Sequence, residues 1–483
     1  MTVDLAQFTP AHAARLTEVW QSPEWEEARE AGWIEAARER LATPPATENV
    51  FSLPADHLRA INGPRVRELI AAGERDEDRL LAVLGTWPDT WPADLPVRLA
   101  FLGLNLGFAC NMEPRCIYCN QVPVPERLTP DAWRELLKGV AVTDGKGPYV
   151  YLTGGEPLLL GEELWGADGL IRAAGGAGAA CNLNTNALLL TPQVALGLVS
   201  SGLGRVHISL DTHRPELQDE IHRCPGRWEQ VVRGLHHMQI AKVALDAAHP
   251  VIHINCVLTR LNAPHFPAFL QFLLDRKPRR EGGSSPDLDF HLIPVGGEQN
   301  RELRLTAEGY ERFFTETWEA ADAVWQQYQE DIGLPADQRG HLHEKMPFMS
   351  PYHRVQQRGP LREWAEQAAR GEPAGLALTP RCYVGPTQGF VLPDGTQYWC
   401  GGHTVSRPEP VGDACNGGVQ SNIRAAVGQM AGVPSVACQS CAGATQAINQ
   451  NVEAALRQTI RDWIEGKPEE AAREAEPEEA VEA

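Results

Sequence analysis

Cys110-Asn-Met-Glu-Pro-Arg-Cys116-Ile-Tyr-Cys119 stands directly after the apolar run Leu99–Leu106, and its reading decides the fold. Three thiols this close cannot all pair with one another. In a chain without secretory features, such a cluster reads as a soft metal site. Three thiolates on one [4Fe–4S] cluster leave one iron without a protein ligand, open to a substrate or cofactor. A zinc loop and incidental buried cysteines are the competing readings.

With Tyr118 just before the last cysteine, this loop resembles that of the radical S-adenosylmethionine (radical SAM) enzymes, where three cysteines follow the first strand of a barrel. The first gap departs from the family's usual three residues, since five separate Cys110 from Cys116. The departure bears on loop geometry more than on the identity of the cluster.

The composition narrows the function classes. At 483 residues the chain has room for two or three domains, and an apolar fraction of 43% is ordinary for a soluble protein. Acidic side chains outnumber basic ones 63 to 43, for a net charge of −20, which argues against a nucleic-acid backbone as partner. The densest basic run, Asp275-Arg-Lys-Pro-Arg-Arg280, reads as a solvated loop. No apolar stretch is long enough for a membrane span, and the start Met1-Thr-Val-Asp-Leu5 has no signal-like pattern. Eleven cysteines, eight of them in two clusters, point to a reducing, cytoplasmic compartment.

From 97 to 300 short apolar runs alternate with amphipathic stretches, the pattern of βα units around a parallel sheet. The predicted strands are Leu99–Asn105, Pro148–Thr153, Ala179–Thr185, Arg205–Asp211, Val251–Leu258 and Leu288–Pro294. Thr129-Pro130 and Thr191-Pro192 read as helix starts, a capping residue followed by proline. Six units predict an α/β fold, a partial (β/α)6 TIM-like barrel whose reactive groups collect at the C-terminal ends of the strands. The sequence meets that rule. The cysteines follow the first strand, Gly154-Gly-Glu-Pro157 the second, Asn184-Thr-Asn186 the third, Ser209 and Asp211 the fourth, Asn255 and Thr259 the fifth, and Pro294-Val-Gly-Gly297 the sixth.

Gly154 and Gly155 lack Cβ atoms where a backbone must approach a ligand closely, although a tight turn alone gives the same letters. The resemblance implies that Gly154, Gly155 and Glu156 hold the methionyl amino group of SAM, Glu156 by fixing the segment or by meeting the ammonium. It further implies that Asn186, Ser209 and Asp211 lie along the ribose and carboxylate, with Asn255 and Tyr118 near the adenine. Helix capping, backbone bonding and a turn are the alternatives for Asn186, Ser209 and Asp211. The implied chemistry is reductive cleavage of SAM to a 5′-deoxyadenosyl radical, followed by hydrogen abstraction from a substrate in a dry, closed site.

The flanks read differently. Residues 1–96 are a helical segment, with Ser22-Pro23 opening a helix that carries Trp25, Ala28, Trp33, Ala36 and Leu41 and stops at Thr43-Pro-Pro45. Leu58–Leu84 reads as a helical pair, and 87–96 as a linker. Residues 301–380 form a helical connector, in which His341 and His343 read as surface residues without a third ligand. Residues 381–445 form a small cysteine-rich α+β domain: a hairpin turning at Pro393-Asp-Gly395, flanked by Cys382 and Cys400, then Cys438-Gln-Ser-Cys441. It resembles the twitch form of the SPASM-like auxiliary domains of some radical SAM enzymes. That implies one auxiliary [4Fe–4S] cluster on Cys382, Cys400, Cys438 and Cys441, with a zinc knuckle as the competing reading. Cys415 is left over, a substitute ligand or a buried thiol, while Cys181, Cys224 and Cys256 read as packing residues. Residues 446–483 are a helix and an acidic, Ala- and Glu-rich tail expected to be disordered.

Taken with the resemblance, an auxiliary cluster points to net oxidation. A maturase acting on a peptide or protein side chain comes first, a small-molecule alcohol or sugar dehydrogenase second. A non-catalytic iron–sulfur electron carrier is disfavoured by the complete rim. A flavodoxin or ferredoxin is the expected low-potential electron donor.

Overall fold

In the computed structural model the described residues are all but 1–2, 51, 141, 143–144, 281–282, 285–287, 347–360, 371–380, 434–437, 439–442 and 468–483. The centre is a run of parallel strands: β1 (Phe101–Asn105), β2 (Tyr149–Thr153), β3 (Ala180–Thr185), β4 (Leu203–Ser209) and β5 (Val251–Leu258). After a two-residue ribbon, β6 (Arg279–Arg280) with β7 (Gly283–Ser284), comes β8 (Asp289–Pro294), which pairs with β5. From β2 onward, each of these six strands pairs in parallel with its predecessor among them, five pairings in all. This is the expected α/β partial barrel of six βα units, and its strand limits lie within two residues of those read from the apolar runs.

One face of each strand is strongly apolar because it lies beneath the helices: Leu102 and Leu104, Val150 and Leu152, Val206 and Ile208, Ile252 and Ile254 are all buried in one core. Two helix starts are capped as expected. The Thr129 hydroxyl accepts from the Ala132 N–H, and the Thr191 hydroxyl from the Val194 N–H, with proline at the first turn of each helix.

The sheet does not end at β1. A hairpin from the C-terminal region, β9 (Gln388–Val391) and β10 (Thr396–Tyr398), adds to it, β9 running parallel to β1, and β11 (Gly412–Asp413) completes the order β11-β10-β9-β1-β2-β3-β4-β5-β8. The hairpin turns at Gly395, whose φ of +89° suits glycine, as Pro393-Asp-Gly395 predicted. The pairing with β1 was not legible: the strands are separated by some 280 residues of sequence, and nothing local announces the ladder. Gly103 explains the fit, because a Cβ there would lie 2.2 Å from the Phe390 ring packed over it.

The N-terminal segment is helical and rests on the barrel's helices. The expected helix from Ser22 is two, Pro23–Glu30 and Trp33–Glu39, broken at Gly32 with φ +69°, and Leu41 is exposed rather than buried. A helix at Pro10–Trp20 precedes them, started by the same Thr-Pro signal at Thr9. Its His12 Nε2 donates to Gln239 Oε1 at 2.8 Å, and the Trp25 indole donates to His237, both on the helix Arg227–Leu245. The helix Gly443–Ile464 packs near Leu53–Ala71, with the Arg59 guanidinium donating to Thr459. Residues 468–483 of the acidic tail lie outside the described residues.

Candidate active site

The cysteine loop leaves the C-terminal end of β1, and the glycine turn leaves the adjacent end of β2. The two are zipped together through their backbones: the Gly155 N–H donates to Gly107 O and the Glu156 N–H to Ala109 O, both at 2.8 Å. Here lies the need for glycine. A Cβ on Gly155 would fall 1.9 Å from Ala109 O, and one on Gly154, whose φ is +147°, 2.5 Å from Gly107 O. The close approach read from Gly154-Gly155 is thus first an approach of chain to chain. The Gly154 carbonyl accepts from the Gln121 amide.

Glu156 anchors the turn to the third strand. Its Oε1 accepts from the Leu158 N–H at 3.0 Å and the Thr185 hydroxyl at 2.8 Å, and its Oε2 from the Asn186 N–H at 2.7 Å. Burial pushes its carboxyl up to about 7 against the pull of those three donors. Asn186 continues the chain of contacts back to the loop, its Nδ2 donating to Asn111 at 2.6 Å and lying 3.8 Å from the Cys110 sulfur. Its Oδ1 accepts from the Leu188 N–H at 3.1 Å, the local capping bond weighed for it.

The three sulfurs stand among donors. The Met112 N–H lies 3.4 Å from Cys110 Sγ, and Arg115 Nη1 is 3.8 Å from Cys119 Sγ. Burial, then the nearby Asp211 and the two other thiols, push Cys116 up to about 12, so a bare thiolate is unfavourable there and a cationic centre would reverse that. Among the described residues no group of three or more His, Cys, Asp or Glu converges on the position of one metal ion. The irons of a [4Fe–4S] cube sit at separate corners and take ligands that stand apart. Three neighbouring thiols, each near a nitrogen donor or another thiol, fit the cube.

Tyr118 and Asp211 lock the far side of the loop. The Tyr118 hydroxyl donates to Asp211 Oδ2 at 2.8 Å, and Asp211 Oδ1 accepts from the Val257 N–H at 2.8 Å. Asp211 is 1% exposed, and burial pushes its carboxyl up to about 6. Asn300 donates to the Tyr118 carbonyl at 2.9 Å, tying the loop to the segment after β8. Ser209, half-buried at the end of β4, sits opposite Asn255 of β5 in register.

The strand face turned away from the helices is polar, a feature the apolar runs concealed. Asn255 Nδ2 donates to Asn184 Oδ1 at 3.1 Å, and its Oδ1 lies 3.2 Å from His207 Nδ1. His207, His253 and His291, on β4, β5 and β8, form a row with ring centroids 4.8 and 4.6 Å apart, and Tyr151 meets His207 edge-on. Burial first, then mutual repulsion and Arg205, lower His207 to about 3, and burial lowers His291 to about 4. These rings are neutral at pH 7 and serve as hydrogen-bonding groups. The signal was present as every-second-residue polarity inside apolar strands, His207-Ile-Ser209 and His253-Ile-Asn255. In a filled barrel those inward positions hold branched apolar side chains.

The C-terminal cysteines form a second group. Cys382 and Cys400 are both neighbours of Cys438, and Cys400 also of Cys382. Cys441 lies outside the described residues. Cys415 is exposed, beside the hairpin turn and Asp413, so it is not the buried thiol it was expected to be if not a ligand. Cys181 and Cys256 are buried in the core, as read. His341 bonds Asp322 at 2.9 Å at the surface.

Residues 104–273 match the model of the Radical SAM superfamily. Among curated proteins, an AdoMet-dependent heme synthase of Oleidesulfovibrio alaskensis is 29% identical over 208 residues, 42% of this chain and 48% of that protein. A GTP 3',8-cyclase of Synechococcus sp. is 33% identical over 175 residues, 34% of this chain and 48% of that protein. The chain spans about half the length of the curated relatives it matches. Among solved structures, native anSMEcpe with bound AdoMet aligns at 14% identity and a TM-score of 0.47, covering 78% of this chain and 100% of that one. Streptococcus suis SuiB bound to S-adenosylmethionine aligns at 14% identity and a TM-score of 0.42, covering 66% and 64%.

Proposed function

We propose that this chain is a radical SAM enzyme that oxidises a polar group held inside its barrel, a reading supported by the match of residues 104–273 to the Radical SAM superfamily model. The observation that carries the reading is the joining of the cysteine loop, the glycine turn and the end of β3 by Glu156, directly over a polar strand face. Bound at Cys110, Cys116 and Cys119, a [4Fe–4S] cluster would supply one electron to S-adenosylmethionine, and the resulting deoxyadenosyl carbon would take a hydrogen atom from the substrate.

The chain's own residues position and exclude. Gly154 and Gly155 let the turn lie against the loop, and Gln121 and Arg115 brace both. Glu156 and Asp211 act through the backbones and side chains they hold, while Tyr118, Asn186, Ser209 and Asn255 are left as the polar groups nearest a nucleotide. The row of neutral imidazoles with Asn184 and Asn255 would orient the substrate by hydrogen bonds without adding charge to a buried site.

A peptide or protein side chain is the first substrate class, oxidised with Cys382, Cys400, Cys438 and Cys441 holding an auxiliary [4Fe–4S] cluster as electron acceptor. A small-molecule alcohol or sugar, dehydrogenated by the same chemistry, is the second. Flavodoxin or ferredoxin would donate the electron.

Anaerobic reconstitution with SAM and dithionite tests the class. Formation of 5′-deoxyadenosine is the expected result; reversible reduction with SAM left intact would replace the enzyme by an electron carrier. A substrate that becomes labelled from, or transfers deuterium to, 5′-deoxyadenosine would then separate peptide from small molecule.

A further inference from the structure

Beside the C-terminal cysteines stands a residue with no role so far. His403 lies three residues after Cys400 on the short helix Gly401–Ser406, and its side chain is buried, with 4% of the residue exposed. Its Nε2 is 3.7 Å from the Cys438 sulfur, and its Nδ1, buried, has no partner among the described residues. The neighbouring sulfurs are also approached by donors. The Cys382 sulfur is influenced by the nearby backbone of Val384 and Gly385 and by Asn449, and that of Cys400 by the nearby backbone of Gly402 and His403.

Chemistry fixes the tautomer. A thiolate sulfur only accepts, so a hydrogen bond to Cys438 requires the proton on Nε2. That leaves Nδ1 with a bare lone pair, which burial tolerates better than an N–H without an acceptor. A nitrogen and a sulfur this close suit a donor and its acceptor rather than two ligands on different irons of one cube.

We infer that His403 donates an N–H···S hydrogen bond to Cys438 and thereby raises the reduction potential of an auxiliary iron–sulfur cluster held by Cys382, Cys400 and Cys438. This rests on the auxiliary cluster of the proposed function. Reduction adds negative charge that spreads onto the ligand sulfurs, and a donor aimed at one of them stabilises the reduced state more than the oxidised. His403 is thus a positioning and tuning residue.

The test uses the full chain with Cys110, Cys116 and Cys119 replaced by alanine, so that only the C-terminal site can hold iron. Iron and sulfide analysis comes first: if this protein binds none after anaerobic reconstitution, the cluster reading fails. With the cluster present, an EPR-monitored redox titration compares His403, His403→Leu and His403→Gln. Loss of the donor should lower the reduced-to-oxidised ratio at fixed potential about tenfold, roughly 59 mV for one electron, and glutamine, which keeps an N–H, should recover most of it. Equal potentials in all three proteins would overturn the inference while leaving the cluster intact. Should His403→Leu fail to retain iron, His403→Ala takes its place: a reduced-to-oxidised ratio about tenfold below that of the parent at the same potential supports the bond, and an unchanged ratio refutes it.

Discussion

Replacing Gly155 by alanine isolates what the glycine turn does. The added Cβ would stand 1.9 Å from the Ala109 carbonyl oxygen, and ordinary contact begins at 3.4 Å, so the loop backbone must retreat by the difference, about 1.5 Å. The obstacle is backbone, so no rotamer change relieves it. The retreat breaks the Gly155-to-Gly107 and Glu156-to-Ala109 hydrogen bonds, each 2.8 Å long. Two such bonds, lost at a partly buried site, amount to roughly 2–5 kcal/mol. Because Cys110 follows Ala109 directly, the same shift moves the first thiol. The expected outcome of Gly155→Ala is a lower urea midpoint together with loss of iron from the first cluster, measured after anaerobic reconstitution. Gly176→Ala is the matched control: nothing lies within 4 Å of that Cβ, at the end of the helix Leu170–Gly176. Its stability should stay within about 1 kcal/mol of the parent. A Gly155→Ala protein with full iron content and an unchanged midpoint would show that the loop and turn do not touch as described.

Other perturbations read other joints. Glu156→Gln sets an amide N–H2 against at least one of three donors, the Leu158 and Asn186 N–H groups and the Thr185 hydroxyl, and should cost about 2–4 kcal/mol at pH 8, read by chemical denaturation. Gly103→Ala forces the Phe390 ring off β1 and should destabilise by about 1–3 kcal/mol, with faster limited proteolysis within 388–398; unchanged cleavage would contradict the packing. Burial lowers His12 to about 4, below its unfolded value of 6.5, so the unfolded chain binds the extra proton and stability falls as pH drops from about 6.5 toward 4. In His12→Gln the loss of stability between pH 7 and pH 5 should shrink by about 2 kcal/mol, followed through tryptophan emission in urea; an equal loss in both proteins rules the contribution out.

The strands were legible because β-branched and leucine-rich runs bounded by glycine, proline and asparagine report burial directly, and the rule that sites gather at strand ends then located the rim. The roles on that rim were less legible. Gly154 and Gly155 carry the same letters whether a ligand or the Ala109 carbonyl fills the space above them, and Glu156 looks alike as a ligand or as a brace. The histidines at 207, 253 and 291 were passed over because each, taken alone in an apolar run, resembles a satisfied core residue; only the pairing of β4, β5 and β8 sets them side by side. Gly32 shows the converse, an apolar periodicity that ran on across a left-handed break.

The parallel ladder between β1 and β9 has a mechanical consequence. Cys110 lies five residues beyond one rung-bearing strand, and Cys400 two residues beyond the hairpin partner of the other. The two groups of sulfurs are therefore surveyed from a common baseline of main-chain hydrogen bonds, and the length of the intervening polypeptide has no say in their separation. Lengthening or trimming the chain between 300 and 380 should leave that separation, and any electron hop across it, as it was.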